Sequence, residues 1–212
     1  DGRFYGDVVT KELQSFETGP GWEFTAKSGL SGRFGPKLMF ENVTEPFELT
    51  AEAVVPAGRY LFPGLDFMIQ TPPGRYLSAR IRGDVGSYYD GWRVSLGVTP
   101  IWSGIPDLEI GGIFEYNLVR FPGRGQEYFA PLAQLNLMAT LSVKFAASAL
   151  VQYNGADDTF IANVRLRFNP REGTDVYLVY NEGLNTNRMD RFPEPPLRAG
   201  RTLALKINYT FH

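Results

Sequence analysis

The chain has 212 residues, with 21 basic and 23 acidic side chains and a formal charge of −2. That size suits a single all-β domain, and the charge balance leaves no electrostatic footprint for nucleic acid. Cysteine is absent and the one histidine is the last residue, His212, which leaves no room for a disulfide framework, a thiolate or multi-histidine metal centre, or a histidine-based triad.

No basic-then-apolar leader opens the sequence, so the chain reads as a mature form or a fragment. The longest uncharged run near the middle, 128–143, contains Pro131 and falls short of the ~20 apolar residues of a spanning helix. Period-two alternation, by contrast, recurs between turn clusters along the chain. In the first 57 residues, Trp22, Phe24, Ala26, Ser28 and Leu30 alternate with Glu23, Thr25 and Lys27 and predict a strand. The segment 4–16 predicts a weaker strand, and 35–58 a long loop with some local pairing. A strand missing from this count would lie at 47–55, where Glu48, Thr50 and Glu52 alternate with apolar residues.

From residue 58 onward nine strands are predicted: 60–71, 75–88, 92–103, 108–119, 128–140, 142–154, 160–169, 174–182 and 201–211. Turn chemistry separates them, as at Pro72-Pro73-Gly74, Asp90-Gly91, Pro122-Gly123-Arg124-Gly125 and Asn154-Gly155. One face of these strands carries Leu61, Leu65, Phe67, Ile69, Ile81, Val85, Leu96, Val98, Ile110, Phe114, Leu135, Leu137, Val151, Val164, Leu166, Leu178, Leu203, Leu205 and their alternate neighbours. No charged residue interrupts that stripe. The opposite face carries Arg80, Arg82, Asp84, Arg93, Glu109, Glu115, Lys144, Arg165 and Arg167, together with Asp66, Gln134, Asn136, Gln152, Asn163, Asp175 and Lys206.

Alternation alone does not say which face is outside, since a soluble barrel with an apolar interior gives the same string. Four features favour lipid on the apolar side. The strands are longer than the usual five or six residues and match the roughly 9–11 tilted residues that cross a bilayer. Trp92 and Trp102 lie ten residues apart on one face of one strand, roughly 25 Å along the membrane normal at ~3.3 Å per residue, the height of a barrel's apolar band. Tyr89, Tyr153 and Tyr209 sit near strand ends as further members of an aromatic girdle. With a periplasmic C-terminus, the long connection 184–200 becomes extracellular and the turns at 71–74, 104–107, 141–142 and 169–173 become periplasmic and short. Finally, the pattern Leu203-x-Leu205-x-Ile207-x-Tyr209-x-Phe211 resembles the C-terminal aromatic signature of outer-membrane proteins, with His212 as a departure after Phe211.

A family likeness rests on motifs that occur in order: Gly58-Arg59-Tyr60, Gly86-Ser87-Tyr88-Tyr89-Asp90-Gly91, Asn117-Leu118-Val119-Arg120-Phe121-Pro122, Leu150-Val151-Gln152-Tyr153-Asn154, Asn163-Val164-Arg165-Leu166-Arg167-Phe168 and Asp175-Val176-Tyr177-Leu178-Val179-Tyr180-Asn181-Glu182-Gly183. From about Glu45 to the end the chain resembles the C-terminal barrel region of an uncharacterised family of Gram-negative envelope proteins. In that family a carbohydrate-binding-module-like domain of the family-nine type lies upstream. The resemblance implies an outer-membrane location and a link to saccharides, and it brings no catalytic residues.

The expected fold is therefore an all-β, antiparallel transmembrane β-barrel of about 10–12 strands. Residues 1–57 supply N-terminal strands and a long loop, and 58–212 the membrane strands with the insertion signature. Eleven predicted strands, where a complete single-chain barrel has an even number, favour a part of a larger barrel. The charged face would line a lumen, with Arg165 and Arg167 the foremost candidates for an anion contact, although charges paired across strands would serve structure alone. Glu109 and Glu115 are too far apart for paired acid–base work, about 20 Å at ~3.3 Å per residue, and Asp157-Asp158 reads as a solvated turn. The expected function is non-enzymatic, without cofactor or metal: an outer-membrane channel or anchor for polar or saccharide solutes, in contact with the lipid bilayer. Two alternatives compete with it: a plugged structural barrel that docks another envelope chain, and a soluble ligand-binding barrel.

Overall fold

A computed structural model describes residues 2–6, 13–50, 53–189 and 192–210. They form strands β1 (Gly2–Gly6), β2 (Leu13–Thr18), β3 (Trp22–Thr25), β4 (Ser31–Val43), β5 (Phe47–Thr50), β6 (Ala53–Val55), β7 (Gly58–Gln70), β8 (Leu77–Tyr88), β9 (Gly91–Ile105) and β10 (Leu108–Phe121). After a single 3-10 turn at Pro122–Arg124 come β11 (Gln126–Phe129), β12 (Leu132–Thr140), β13 (Phe145–Asn154), β14 (Thr159–Arg171), β15 (Thr174–Asn185) and β16 (Arg198–Tyr209). Strands β5 and β6 make a separate hairpin. The others form one sheet in the order β1-β2-β4-β7-β8-β9-β10-β12-β13-β14-β15-β16, with β3 on β4 and β11 on β10. Neighbours that follow one another in sequence pair antiparallel, as in β12–β13, β13–β14, β14–β15 and β15–β16. Among the described residues no helix is long and apolar enough to cross a membrane, which says nothing of crossing by strands.

Two compact units share the chain: Asp1–Pro72 with Arg80–Gly97 and Tyr116–Phe129, and Pro73–Ala79 with Val98–Glu115 and Ala130–His212. Strands β8, β9 and β10 contribute residues to both.

In the first unit the sequence expectation needs correction. The stretch 35–58, expected to be a long loop, holds most of β4, which pairs with β7 along its full length from Ser31↔Gln70 to Val43↔Gly58. Gly35 and Pro36 disguise it. Proline has no N–H for a ladder and is tolerated at edges and bulges, and here Pro36 falls where β2 has ended (Thr18↔Leu38) and β3 has not begun (Trp22↔Phe34). The intervening Gly19-Pro20-Gly21 crosses β4 closely: a Cβ on Gly19 would lie 2.1 Å from the Pro36 carbonyl oxygen, and one on Gly35 2.3 Å from that of Pro20. Only glycine admits such an approach. The segment 47–55 does contain paired strands, but they pair with each other and not with the sheet.

The predicted strand 128–140 is broken in the same way at Ala130-Pro131, leaving β11 and β12 to pair with successive parts of β10. Lys144 was placed on the charged face of a strand beginning at 142, whereas β13 begins at Phe145 and Lys144 belongs to the exposed turn before it.

Register brings the apolar residues of neighbouring strands onto one face. Leu65, Phe67 and Ile69 oppose Val85, Gly83 and Ile81. Leu135 opposes Val151, Val151 opposes Ala162, Leu166 opposes Leu178, and Leu178 opposes Leu205. These residues do not form a core. Leu65 is 59%, Leu135 48% and Phe114 45% exposed, although each lies in a strand with neighbours on both sides. Among the described residues only five hydrophobic side chains are buried: Val43, Val55, Phe62, Val119 and Phe121. Val43 and Phe62 oppose Gly58 and Met39 on the face that carries Arg33, Lys37 and Asp66. In the first unit, then, conventional packing lies on the charged face while the apolar stripe is open.

Candidate functional site

On the charged face of the first unit, successive strands place opposite charges within reach. Arg33 pairs with Asp66 at 3.1 Å, Lys37 with Glu17 at 3.4 Å, and Arg93 with Asp84 at 3.0 Å. The Arg80 Nε donates to Gln70 Oε1 at 3.0 Å. The Arg82 side chain lies over Gly97, where a Cβ would meet its Nε at 2.9 Å. Glu17, Glu23, Arg33, Lys37 and Asp66 line a cavity of about 320 Å³ beside the Gly19-Pro20-Gly21 crossing. Glu17, Arg33 and Lys37 lie before residue 58, where alternation was weakest, and escaped the sequence reading for that reason, while Glu23 was read there only as a polar position of a strand.

Where β7 begins and β8 ends, the same face turns aromatic. Phe62 stacks on Tyr60 and packs against Tyr88 and Tyr89, and Tyr60 meets Tyr89 edge-on at 5.0 Å. Arg93 sits 4.9 Å above the Tyr88 ring. Val119 and Phe121 pack against Tyr88, Tyr89 and Tyr128. Tyr89 was expected in a girdle on the apolar face, and the structure places it here instead. It lies in the β8–β9 turn at φ 51, the left-handed region that a bulky side chain rarely adopts, which carries its ring across to the cluster. Its hydroxyl donates to Glu41 Oε2 at 2.9 Å. Burial first, and then that hydrogen bond, push the Tyr89 pKa well above the ordinary tyrosine range.

The β5–β6 hairpin is fastened onto this cluster. Phe47 meets the Tyr89 ring edge-on at 5.9 Å, Val55 is fully buried, and the Tyr60 hydroxyl donates to the Pro56 carbonyl at 2.9 Å. Arg124 closes the arrangement. Its Nε and Nη2 donate to the two Asp90 carboxylate oxygens, each at 2.6 Å, its Nη1 donates to the Val54 carbonyl at 2.5 Å, and its guanidinium lies 4.9 Å from the Phe121 ring. The alternation at 47–55 signals one strand in the sequence, where the structure has a pair, and no local pattern signals the contacts that hold it down.

In the second unit the two foremost anion candidates part company. Arg167 is engaged by Asp175 at 2.8 Å, and Asp175 also accepts from Asn169 Nδ2 at 3.0 Å. Arg165 stays exposed and has no carboxylate partner among the described residues; its guanidinium lies 4.9 Å from the Tyr177 ring. Tyr177 opposes Arg167 on β14 and Lys206 on β16, and Lys206, like Arg165, has no described carboxylate partner. Asn163, the preceding position on that face, lines a cavity of about 470 Å³ with Glu109, Asn136, Met138 and Ser148. Glu115 opposes Leu132 at the far end of the β10–β12 ladder, apart from Glu109.

The aromatic residues of the apolar face lie at strand ends. Trp92 is covered by Arg120, 5.7 Å from its ring, and Arg120 pairs with Glu127 across β10 and β11. Trp102 lies three residues before the end of β9, Tyr153 opposes Phe160, and Tyr209 opposes Thr174 with Arg171 5.5 Å from its ring. Phe211 and His212, and with them the end of the terminal signature, lie outside the described residues. Among the described residues no group of three or more His, Cys, Asp or Glu could hold a metal ion.

No family model and no curated protein matches the sequence. Two solved structures are similar in fold over most of the chain. The NanC porin is 10% identical, with 99% of this chain and 97% of that one covered and a TM-score of 0.36. The KdgM porin in complex with disordered oligogalacturonate is 11% identical, with 93% and 94% covered and a TM-score of 0.33. Long antiparallel strands, a continuous open apolar face and an opposite face that holds the charges fit a transmembrane β-barrel.

Proposed function

We propose that this chain is a non-enzymatic channel of the Gram-negative outer membrane, a β-barrel whose apolar stripe meets lipid and whose charged face lines a path for polar solutes. The exposure of that stripe carries the reading. A soluble barrel would bury Leu65, Phe114, Leu135 and Leu166, and a water-exposed apolar face extending over many strands far exceeds the few hundred Å² that soluble monomers show. In lipid the same face is in its proper solvent. The connection between β15 and β16 then lies outside the cell, and the turns near 71–74, 106–107, 141–144 and 172–173 face the periplasm.

Solute preference follows from unbalanced charge. Arg33, Lys37, Arg93 and Arg167 are each matched by an acid, whereas Arg165 lies over Tyr177, with Lys206 at the opposing register position, and neither has a described acid. An aromatic face beside cations suits an anionic solute with a ring-like apolar side, such as a carboxylated sugar. This agrees with the saccharide link implied by the likeness of the 150–183 block to an envelope family with an upstream sugar-binding-like module. In planar bilayers the purified chain should give steady open current with anion preference. Protein that stays monodisperse without detergent would refute the membrane reading.

The fastened β5–β6 hairpin favours a second reading, a plugged barrel that anchors or docks another envelope chain. Current that is absent in the native chain and appears when Arg124 is replaced would decide for the plug.

A further inference from the structure

Where the apolar stripe of β15 and β16 ends, charge appears on the same face. Glu182 follows Tyr180 at the next position of that face and opposes Ala162 on β14 and Arg201 on β16. Its carboxylate is enclosed, with the side chain 10% exposed, and is held from three sides. Arg201 binds it through Nε at 2.5 Å and Nη2 at 3.2 Å, Arg198 Nε approaches Oε1 at 3.3 Å, and the Tyr180 hydroxyl donates to Oε2. One carboxylate thus answers two guanidiniums, and the Arg198 side chain remains 61% exposed with its other donors turned to no described acid. The Arg120–Glu127 pair beside Trp92 is one-to-one and carries no such excess.

Building on the membrane reading above, we propose that Arg198 and Arg201, fixed by Glu182 and Tyr180, bind the phosphate of a membrane lipid headgroup. A charge on the lipid-facing side is tolerated only at the edge of the hydrocarbon, where it finds headgroups. Leu203 and Leu205 mark the apolar side of this boundary, and the connection that joins Asn185 of β15 to Arg198 of β16 its aqueous side. At that level an uncompensated guanidinium meets phosphate oxygens, which its planar fork matches in a bidentate way. Glu182 does not cancel the site: it orients Arg201 and leaves Arg198 as the exposed contact.

The test uses the whole chain in detergent micelles, with bisphosphorylated lipid A, the same lipid stripped of phosphate, and inorganic phosphate as probes. Native mass spectrometry and a fluorescence titration should show bisphosphorylated lipid A retained and the stripped lipid lost. Arg198→Gln should weaken binding about tenfold, the loss of one charge-assisted contact, with Arg198→Lys restoring part of it. Arg198→Gln leaves the Arg201–Glu182 pair in place, and an unchanged circular dichroism spectrum checks its fold. Equal binding by Arg198→Gln, equal retention of the stripped lipid, or displacement by millimolar inorganic phosphate would overturn the assignment. A chain that fails to enter lipid vesicles at all would instead refute the membrane reading on which it rests.

Discussion

Leu166 offers a direct test of which solvent the apolar face meets. It lies in β14, between Ala147 on β13 and Leu178 on β15, and is 43% exposed. Ala162, opposite Glu182, lies on the same face four residues away, so Leu166 is about 10 Å deeper along the membrane normal at ~3.3 Å per residue and a tilt near 40°, close to the middle of a ~25 Å apolar band. Leu166→Arg should therefore cost about 2–4 kcal/mol in lipid. If that face met water, the charge itself would cost only about 0.5 kcal/mol. Leu166→Ala separates the loss of the leucine from the gain of charge, and Asn163→Arg on the opposite face is a matched control beside native Arg165. Equilibrium unfolding in denaturant from phospholipid vesicles, run on all three variants, gives the comparison. A Leu166→Arg variant no less stable than Leu166→Ala, or an Asn163→Arg variant that loses more, would refute the assignment of faces.

Removing the fastening residue, Arg124→Ala, deletes contacts to Asp90 and Val54. At about 1.5–3 kcal/mol for hydrogen bonds to charged groups, cleavage within 44–57 by an added protease should rise at least tenfold while the sheet stays intact by circular dichroism. Tyr89 lies in a turn outside the spanning segments, and its raised pKa means that the folded state holds the phenol proton more tightly than the unfolded state. Its contribution is fully present below pH about 10, the unfolded value, and is lost as pH rises above that. Tyr89→Phe should lower stability at neutral pH and flatten the alkaline decline, and an identical decline in both proteins would contradict the linkage. On the lining, Arg165→Ala should shift the reversal potential in a salt gradient toward cations, and Arg167→Ala, which frees Asp175 as well, should shift it further in the same direction.

Much of the sheet was legible because a strand between two different environments must alternate, and alternation survives in sequence without knowledge of partners. The nine predicted strands after residue 58 correspond to β7–β16, and their apolar positions meet apolar positions across the observed ladders. What failed was non-local. Gly35 and Pro36 read as breakers, yet β4 continues through them because β2 stops and β3 starts opposite. Tyr89 alternates as an apolar-face residue, and only the left-handed turn takes it to the other face. Arg165 and Arg167 look alike in sequence, and the acid that separates them, Asp175, lies across the β14–β15 turn. Glu182 and Arg201 stand at the ends of two predicted strands and Arg198 before the second, and no local pattern shows that the ladder brings them together.

The placement of the few buried side chains says something about how such a chain divides its stability. Phe62, Val119 and Phe121 pack with the tyrosines and the β5–β6 hairpin on the charged face, whereas Leu65, Leu135 and Leu166 on the other face have no protein layer over them. On the membrane reading the sheet draws its apolar stabilisation from lipid, and the hairpin from a small aromatic core that lipid never touches. The two contributions respond to different perturbations: detergent or bilayer thickness should act on the stripe, and Arg124, Tyr89 and alkaline pH on the core. A hairpin held in this way can loosen without strands leaving the sheet, because its fastenings to Asp90, Val54 and Pro56 lie in turns and hairpin backbone and none is a ladder bond. Opening a path along the charged face would then require only local unfolding of a segment whose stability is set by a few named contacts.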